Sequence, residues 1–315
     1  VLDAAKSKER SQIMGVLDGR VAIVTGAGQG LGREHALLFA AEGARVVVND
    51  VGRASSEDGA GKGLAHEVAE EITSAGGQAV ANTDSVSDWA GAQRLIDTAV
   101  QAFGDLHVVV NNAGILRDRM LVNMTEEEFD SVVDVNLKGT FAVSHFAARY
   151  WREQSKQERH ADRALVNTSS GAGMQPGVGQ TNYAAAKAGI AAMTQVASKE
   201  LKRIGVRVNG IAPFARTQTT LATPGLGERL AEPGPDSGFD PYDPKNISPL
   251  VTYLASDGCP LTGHMFRVVG DLIGVYEGWH LVDTFENGKR WDIPEIAQAL
   301  EKVPSEPVAE APKMV

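Results

Sequence analysis

Cysteine is almost missing from this chain. Cys259 stands alone, so no internal disulfide can form, and a reducing, cytoplasmic setting is the expectation. Long apolar runs are missing too. None approaches the roughly 20 residues needed to span a bilayer. Near the start, "KSKER" is followed only by "IMGVL", too short for the apolar core of a signal peptide. No membrane insertion is expected. Residues 1–18 read as an N-terminal extension, with Met14 a candidate natural start. An excess of positive charge is also lacking. The 30 Lys and Arg against 40 Asp and Glu leave a formal charge of −10. That balance argues against nucleic-acid binding, which rests on cations neutralising phosphates. The seven histidines show no metal-ligand spacing, so no metal is expected, and no Ser-His-Asp pattern supports a hydrolase.

What is present is alternation. Short apolar segments at 20–25, 45–49, 78–82, 106–110, 164–169, 206–211 and 264–269 read as strands, with helical segments between most of them. The clearest helix carries Trp89, Ala92, Leu95, Ile96, Ala99, Val100 and Phe103 at three- and four-residue spacings, and Gly104 ends it. Continuously apolar strands alternating with amphipathic helices predict an α/β fold: a single doubly wound parallel sheet with helices on both faces, over residues 19–303. The irregular stretch 213–244 holds six prolines and reads as a substrate loop or lid. Residues 304–315 read as a flexible tail.

The first strand runs into "TGAGQGLG", four glycines in eight residues. In a doubly wound sheet this turn lies at the carboxyl edge, where ligands bind. Glycines there let the backbone approach a pyrophosphate, and the following helix points free N–H groups at it. The spacing is Thr-Gly-x-x-x-Gly-x-Gly, on Thr25, Gly26, Gly30 and Gly32, with Gly28 extra. A tight turn with no ligand would also account for it. The second strand ends at Asp50, which can accept from both ribose hydroxyls of an adenosine and repels a 2′-phosphate. No Lys or Arg lies among residues 25–32, although Arg33 and Arg53 are near in sequence. The expected cofactor is NAD rather than NADP.

"NYAAAK" places Tyr183 and Lys187 a turn apart on one helix face. A neighbouring ammonium favours a phenolate, which makes tyrosine useful as an acid or base. "NTSS" ends a strand shortly before, so Ser169 or Ser170 lies near that edge; a helix cap would explain them equally. The helix opening at Thr125 with a capping box to Glu128 carries Asn136 on its apolar stripe. A buried amide must be hydrogen-bonded, so Asn136 is either a structural bridge or part of a polar relay.

Together these pieces resemble the short-chain dehydrogenase/reductase family, from about Gly19 to Gly270. They comprise the glycine loop, "NNAG" at 111–114, Asn136, the serine thirteen residues before Tyr183 (hence Ser170) and Tyr-x-x-x-Lys. The resemblance implies a catalytic set of Asn136, Ser170, Tyr183 and Lys187. Tyr183 would be the acid/base and Ser170 would hold the substrate oxygen. Lys187 would lower the phenol pKa and bind the nicotinamide ribose, and Asn136 would anchor a water-linked relay. The implied cofactor contacts are Gly26, Gly28, Gln29, Gly30, Leu31, Gly32, Asp50, Asp84, Ser85, Asn112, Ala113, Gly114, Tyr183, Lys187 and Pro213. Asp84 and Ser85 would flank the adenine. One departure is Phe214, where the family places glycine after the proline. Relatives pair through two long helices, here about 126–150 and 181–203, which implies a homodimer or homotetramer.

"VVVNDVG" and "VVVNNAGILRDRM" are similar to a subgroup, the dehydrogenase unit of type-2 peroxisomal multifunctional enzymes. That implies a (3R)-hydroxyacyl-CoA as substrate, with a 17β-hydroxysteroid as the alternative. Arg117, Arg119 and Arg216 are candidate cations for CoA phosphates. A non-catalytic NAD sensor or scaffold is the alternative of another class, against which the complete Asn/Ser/Tyr/Lys set argues.

Overall fold

The computed structural model describes residues 15–52, 63–221, 230, 238–278 and 280–305. Residues 1–14 with Met14, the loop containing Arg53, most of the centre of the 213–244 stretch and the end of the tail lie outside them.

Eight strands form one sheet in the order β3-β2-β1-β4-β5-β6-β7-β8. They are β1 Val21–Thr25, β2 Arg45–Asn49, β3 Gln78–Asn82, β4 Val108–Asn111, β5 Arg163–Thr168, β6 Val206–Pro213, β7 Met265–Val269 and β8 Leu272–Tyr276. β1 to β7 pair in parallel, with the chain reversing direction across the sheet between β1 and β4. Side-chain alternation explains why the strands are apolar throughout. Val21, Ile23, Val47, Val109, Leu165 and Val208 enter one core. Their neighbours Ala22, Val24, Val46, Val48, Val110 and Val166 enter the other. Each face must therefore be covered by helices.

The helices are α1 Gly30–Ala41, α2 Leu64–Ser74, α3 Trp89–Phe103, α4 Glu126–Val132, α5 Gly139–Lys156, α6 Gly171–Met174, α7 Thr181–Glu200, α8 Gln218–Leu221, α9 Ser248–Ala255 and α10 Ile293–Leu300. α1, α2 and α9 supply one core and α3 and α5 the other. α3 begins where Asp88 accepts from the Gly91 N–H at 2.8 Å and ends on left-handed Gly104.

Two elements differ from the sequence reading. The helix expected over 126–150 is split: a π-helical stretch, Val133–Lys138, joins α4 to α5. The second difference is β8, which pairs antiparallel with β7 at the sheet edge. Gly270 and Asp271 make its two-residue turn, and Gly270 adopts φ +55. Among the described residues, contacts divide the chain after Tyr276. In the second unit α10 opens with a reciprocal capping box. Asp292 Oδ1 accepts from Glu295 N at 2.9 Å, and Glu295 Oε2 accepts from Asp292 N at 3.2 Å.

Candidate active site

The expected site residues gather at the carboxyl ends of β1, β2, β4 and β5, where the change of direction opens a crevice. The glycine loop leaves β1 with Gly26 at φ +61, a left-handed conformation. A Cβ there would stand 2.8 Å from the Ala113 Cα. Gly30, Leu31 and Gly32 form the first turn of α1, and Gln29 is exposed at its N-cap without a capping side-chain bond. The Thr25 hydroxyl accepts from the N–H groups of Asn112 and Ala113, both at 3.0 Å. The Asn112 amide donates to the carbonyls of Thr25 and Gly26 at 3.0 and 3.1 Å. Both donors of Asn112 thus brace the loop against the end of β4.

Asp50 is held from two sides. Its Oδ2 accepts from Gly28 N at 2.9 Å and its Oδ1 from Gly52 N at 2.7 Å. A Cβ on Gly28 would lie 2.9 Å from the carboxyl carbon, so this glycine makes room for the acid. Arg33 does not face it as a free cation: Glu34 and Glu71 bind its guanidinium at 2.7 Å each. Asp84 accepts from Asn82 Nδ2 at 3.0 Å and from Arg94 Nε at 2.8 Å. Ser85 shares a hydrogen bond of 2.9 Å with Ser87.

Behind the loop lies a polar group of four. Asn136 is fully buried in the π-helical stretch, a feature frequent at functional sites. Its Nδ2 donates to Ile115 O and Val132 O, both at 2.9 Å, while its buried Oδ1 has no partner among the described residues. A Cβ on Gly114 would stand 2.6 Å from that Oδ1 and 3.5 Å from Lys187 Nζ, so both atoms border one small space that a side chain would fill. Lys187 Nζ donates to Thr168 O at 2.8 Å and lies 5.5 Å from the centre of the Tyr183 ring. Ser170 lies beside the Tyr183 hydroxyl, close enough to lower its pKa, and caps α6, accepting from Ala172 N at 3.2 Å. Ser169 points elsewhere, donating to Lys187 O at 2.7 Å.

Electrostatics separate the two titratable groups differently from expectation. Burial pushes the Lys187 ammonium down to about 7. The Tyr183 phenol is shifted upward: burial is the largest cause, the neighbouring Ser170 hydroxyl opposes it, and the Asp118 charge adds to it. Burial disfavours phenolate and ammonium alike, which moves the two groups in opposite directions.

At the carboxyl end of β6, Pro213 closes the strand and Phe214 N donates to Val268 O at 3.0 Å. The Phe214 ring meets Tyr242 edge-on at 5.8 Å. Of the candidate cations, Arg119 is paired with Glu128 at 2.8 Å and Arg216 with Asp240. Arg117 donates to its neighbour's carbonyl, Leu116 O, at 2.9 Å, and its charge helps lower the Glu128 carboxyl pKa. Sequence reasoning missed Asn182, Asp118 and Gln180, which join the segment after Gly114 to the start of α7. A signal existed for Asn182, since it lies four residues before buried Ala186 and eight before Ile190.

A doubly wound sheet, a glycine-lined turn beneath an acidic strand end, and a Ser–Tyr–Lys–Asn group define a nucleotide-linked oxidoreductase site. Residues 20–225 match the short chain dehydrogenase family, and the chain belongs to it. It is 43% identical over 289 residues to the hydroxyacyl-CoA dehydrogenase ChsB1 of Mycobacterium tuberculosis, covering 90% of this chain and 88% of that one. It is 44% identical over 246 residues to the peroxisomal multifunctional enzyme type 2 of Drosophila melanogaster, covering 78% of this chain but 38% of that protein. A crystal structure of a short chain dehydrogenase from Mycobacterium avium superposes with a TM-score of 0.81 at 50% identity, covering 94% of this chain and all of that one. No helix among the described residues is long and apolar enough to cross a membrane.

Proposed function

We propose that this oxidoreductase interconverts a secondary alcohol and a ketone with NAD. The pair is a (3R)-hydroxyacyl-CoA and its 3-ketoacyl-CoA, in lipid or sterol side-chain β-oxidation. The observation that carries the chemistry is the Tyr183 ring with Lys187 Nζ 5.5 Å from its centre, beside a buried Asn136 whose Oδ1 has no partner among the described residues. The name of the first relative above supports the substrate class, and Arg117 is a candidate cation for a CoA phosphate. The same reading makes the protein cytoplasmic and a homodimer or homotetramer.

The residues present fit the cofactor. The glycines let the loop pack directly on Ala113 and Asp50, a Cβ on Gly30 would meet nothing closer than Thr217 at 3.7 Å, and Asp50 offers a fixed carboxylate for a ribose. Bound there, NAD supplies the hydride acceptor. Ser170 and Tyr183 both bond the substrate oxygen and fix its position. In reduction the protonated phenol donates to that oxygen, and its upward-shifted pKa keeps it protonated near neutral pH. In oxidation the phenolate accepts the hydroxyl proton, and Lys187 favours that form when charged. With a pKa of about 7, Lys187 can pass the proton on, and Asn136 Oδ1 offers an acceptor for a bridging water.

Tyr183→Phe keeps the ring and deletes the proton acceptor. Turnover should fall by about 10² to 10⁴, the usual worth of general acid–base catalysis, while NADH affinity survives. Lys187→Met should lower both. Near-full activity of Tyr183→Phe on every alcohol the unmodified protein oxidises would overturn the assignment.

A further inference from the structure

Asn182 precedes Tyr183 and is fully buried. Burial of a primary amide is tolerable only when its donors and acceptor are engaged, and here they are. Nδ2 donates to Arg117 O and to Glu128 O, both at 3.0 Å, and Oδ1 accepts from Tyr183 N at 2.7 Å. One side chain thus touches three places: the segment following Gly114, the first turn of α4, and the first turn of α7.

The same segment is tied to the same helix start by neighbouring contacts. Gln180 Nε2 donates to Asp118 Oδ2 at 3.0 Å, and Arg119 N donates to Gly179 O at 2.8 Å. Arg119 also clamps Glu128. From beneath, Asn136 donates to Ile115 O. Residues 115–119 are therefore fastened between Asn136 and the start of α7, and they continue directly from Asn112–Gly114, which brace the glycine loop. Of these fastenings, Asn182 alone is a fully buried side chain on the α7 side, next in sequence to the tyrosine.

We propose that Asn182 is a positioning residue for the reaction. Its double donation fixes the first turn of α7, and Tyr183 with it, to the segment leading from the cofactor loop. This inference rests on Tyr183 being the acid/base. The alternative is a purely helix-starting role, in which only the acceptor for the Tyr183 N–H matters. The two roles differ in what they need. A helix start is served by an acidic acceptor at least as well as by an amide. The fastening needs two donors, and a carboxylate there would face two carbonyl oxygens with no proton to share.

Asn182→Asp is isosteric and decides between them; Asn182→Ala removes all three bonds. A misplacement of about 1 Å can cost about 10² in rate, so kcat should fall about 10²-fold in both variants, with NADH affinity unchanged. Amide exchange at Arg119 should quicken in both. Asn209→Ala is the control for lost stability. Asn209 is a buried β6 amide that donates to Leu261 O at 2.7 Å and accepts from His264 N at 3.1 Å. It should lower the unfolding midpoint while leaving kcat and Arg119 exchange unchanged. If the alanine variant does not fold, Asn182→Asp carries the test. Full kcat in Asn182→Asp, or a kcat loss that Asn209→Ala matches, overturns the proposal. Tyr183→Phe measured alongside separates the failures. An active Tyr183→Phe sinks the reading of the site, whereas an inactive Tyr183→Phe beside an active Asn182→Asp sinks the positioning role alone.

Discussion

At the scale of residues, cofactor choice is argued most directly from Asp50. Its two oxygens are held by the N–H groups of Gly28 and Gly52, so the carboxylate cannot swing away from an incoming 2′-phosphate. Among the described residues, Arg33 is bound by Glu34 and Glu71. A preference for NAD over NADP is the expected outcome of that fixed charge. Asp50→Ala removes both the acceptor and the repulsion and should narrow the ratio of kcat/KM for NAD over NADP by about tenfold, the equivalent of roughly one charge-assisted hydrogen bond. The check is steady-state kinetics with both cofactors. An unmodified protein that prefers NADP would contradict it. Some residues were readable only as alternatives. Position at the strand end does not separate Ser169 from Ser170, and only the family spacing to Tyr183 selects Ser170; the structure turns Ser169 toward Lys187 O and leaves Ser170 beside Tyr183. Asn136 was legible because an amide on an apolar stripe demands partners. Asn182 obeys the same rule on α7, but the Ala-rich helix hides its stripe, since alanines occupy both faces.

At the scale of elements, strands and most helices were legible because both sheet faces are buried, which makes each strand apolar throughout. Two features were not. The π-helical stretch Val133–Lys138 keeps the apolar spacing of its helix, so periodicity carries no sign of it. β8 has exposed Ile273 and Val275 and an internal glycine, which weaken a strand pattern, although Gly270–Asp271 is a two-residue hairpin signal. The helices bear on assembly as well. Phe129 on α4, Phe141 on α5 and Val196 on α7 are 39%, 48% and 54% exposed, and small residues dominate much of α7, which lets another backbone approach closely. We expect these helices to pair between copies of the chain. Sedimentation at micromolar concentration should show a dimer or tetramer, and Phe141→Arg should shift it toward smaller species by placing a charge in the contact. A monomeric unmodified protein would contradict this.

At the scale of the whole molecule, the fold brings distant pieces of chain to one edge. The turn after β1, the acid ending β2, the "NNAG" ending β4, the serine after β5 and the tyrosine of α7 span residues 25 to 183 yet border one crevice. Family membership fixes oxidoreductase chemistry; the substrate depends on surroundings that sequence patterning describes poorly. Arg119 and Arg216 were candidates for CoA phosphates until their carboxylate partners, Glu128 and Asp240, came into view. Ion pairs between residues far apart in sequence cannot be read from local spacing. The central claim is NAD-linked oxidation of a hydroxyacyl-CoA, and the most direct measurement is NADH formation by the intact protein. The substrates to compare are a (3R)-3-hydroxyacyl-CoA and a 17β-hydroxysteroid, each with NAD and with NADP. The expected result is the highest kcat/KM for the thioester with NAD. A higher value for the steroid, or no NADH formed from the thioester, would contradict the claim.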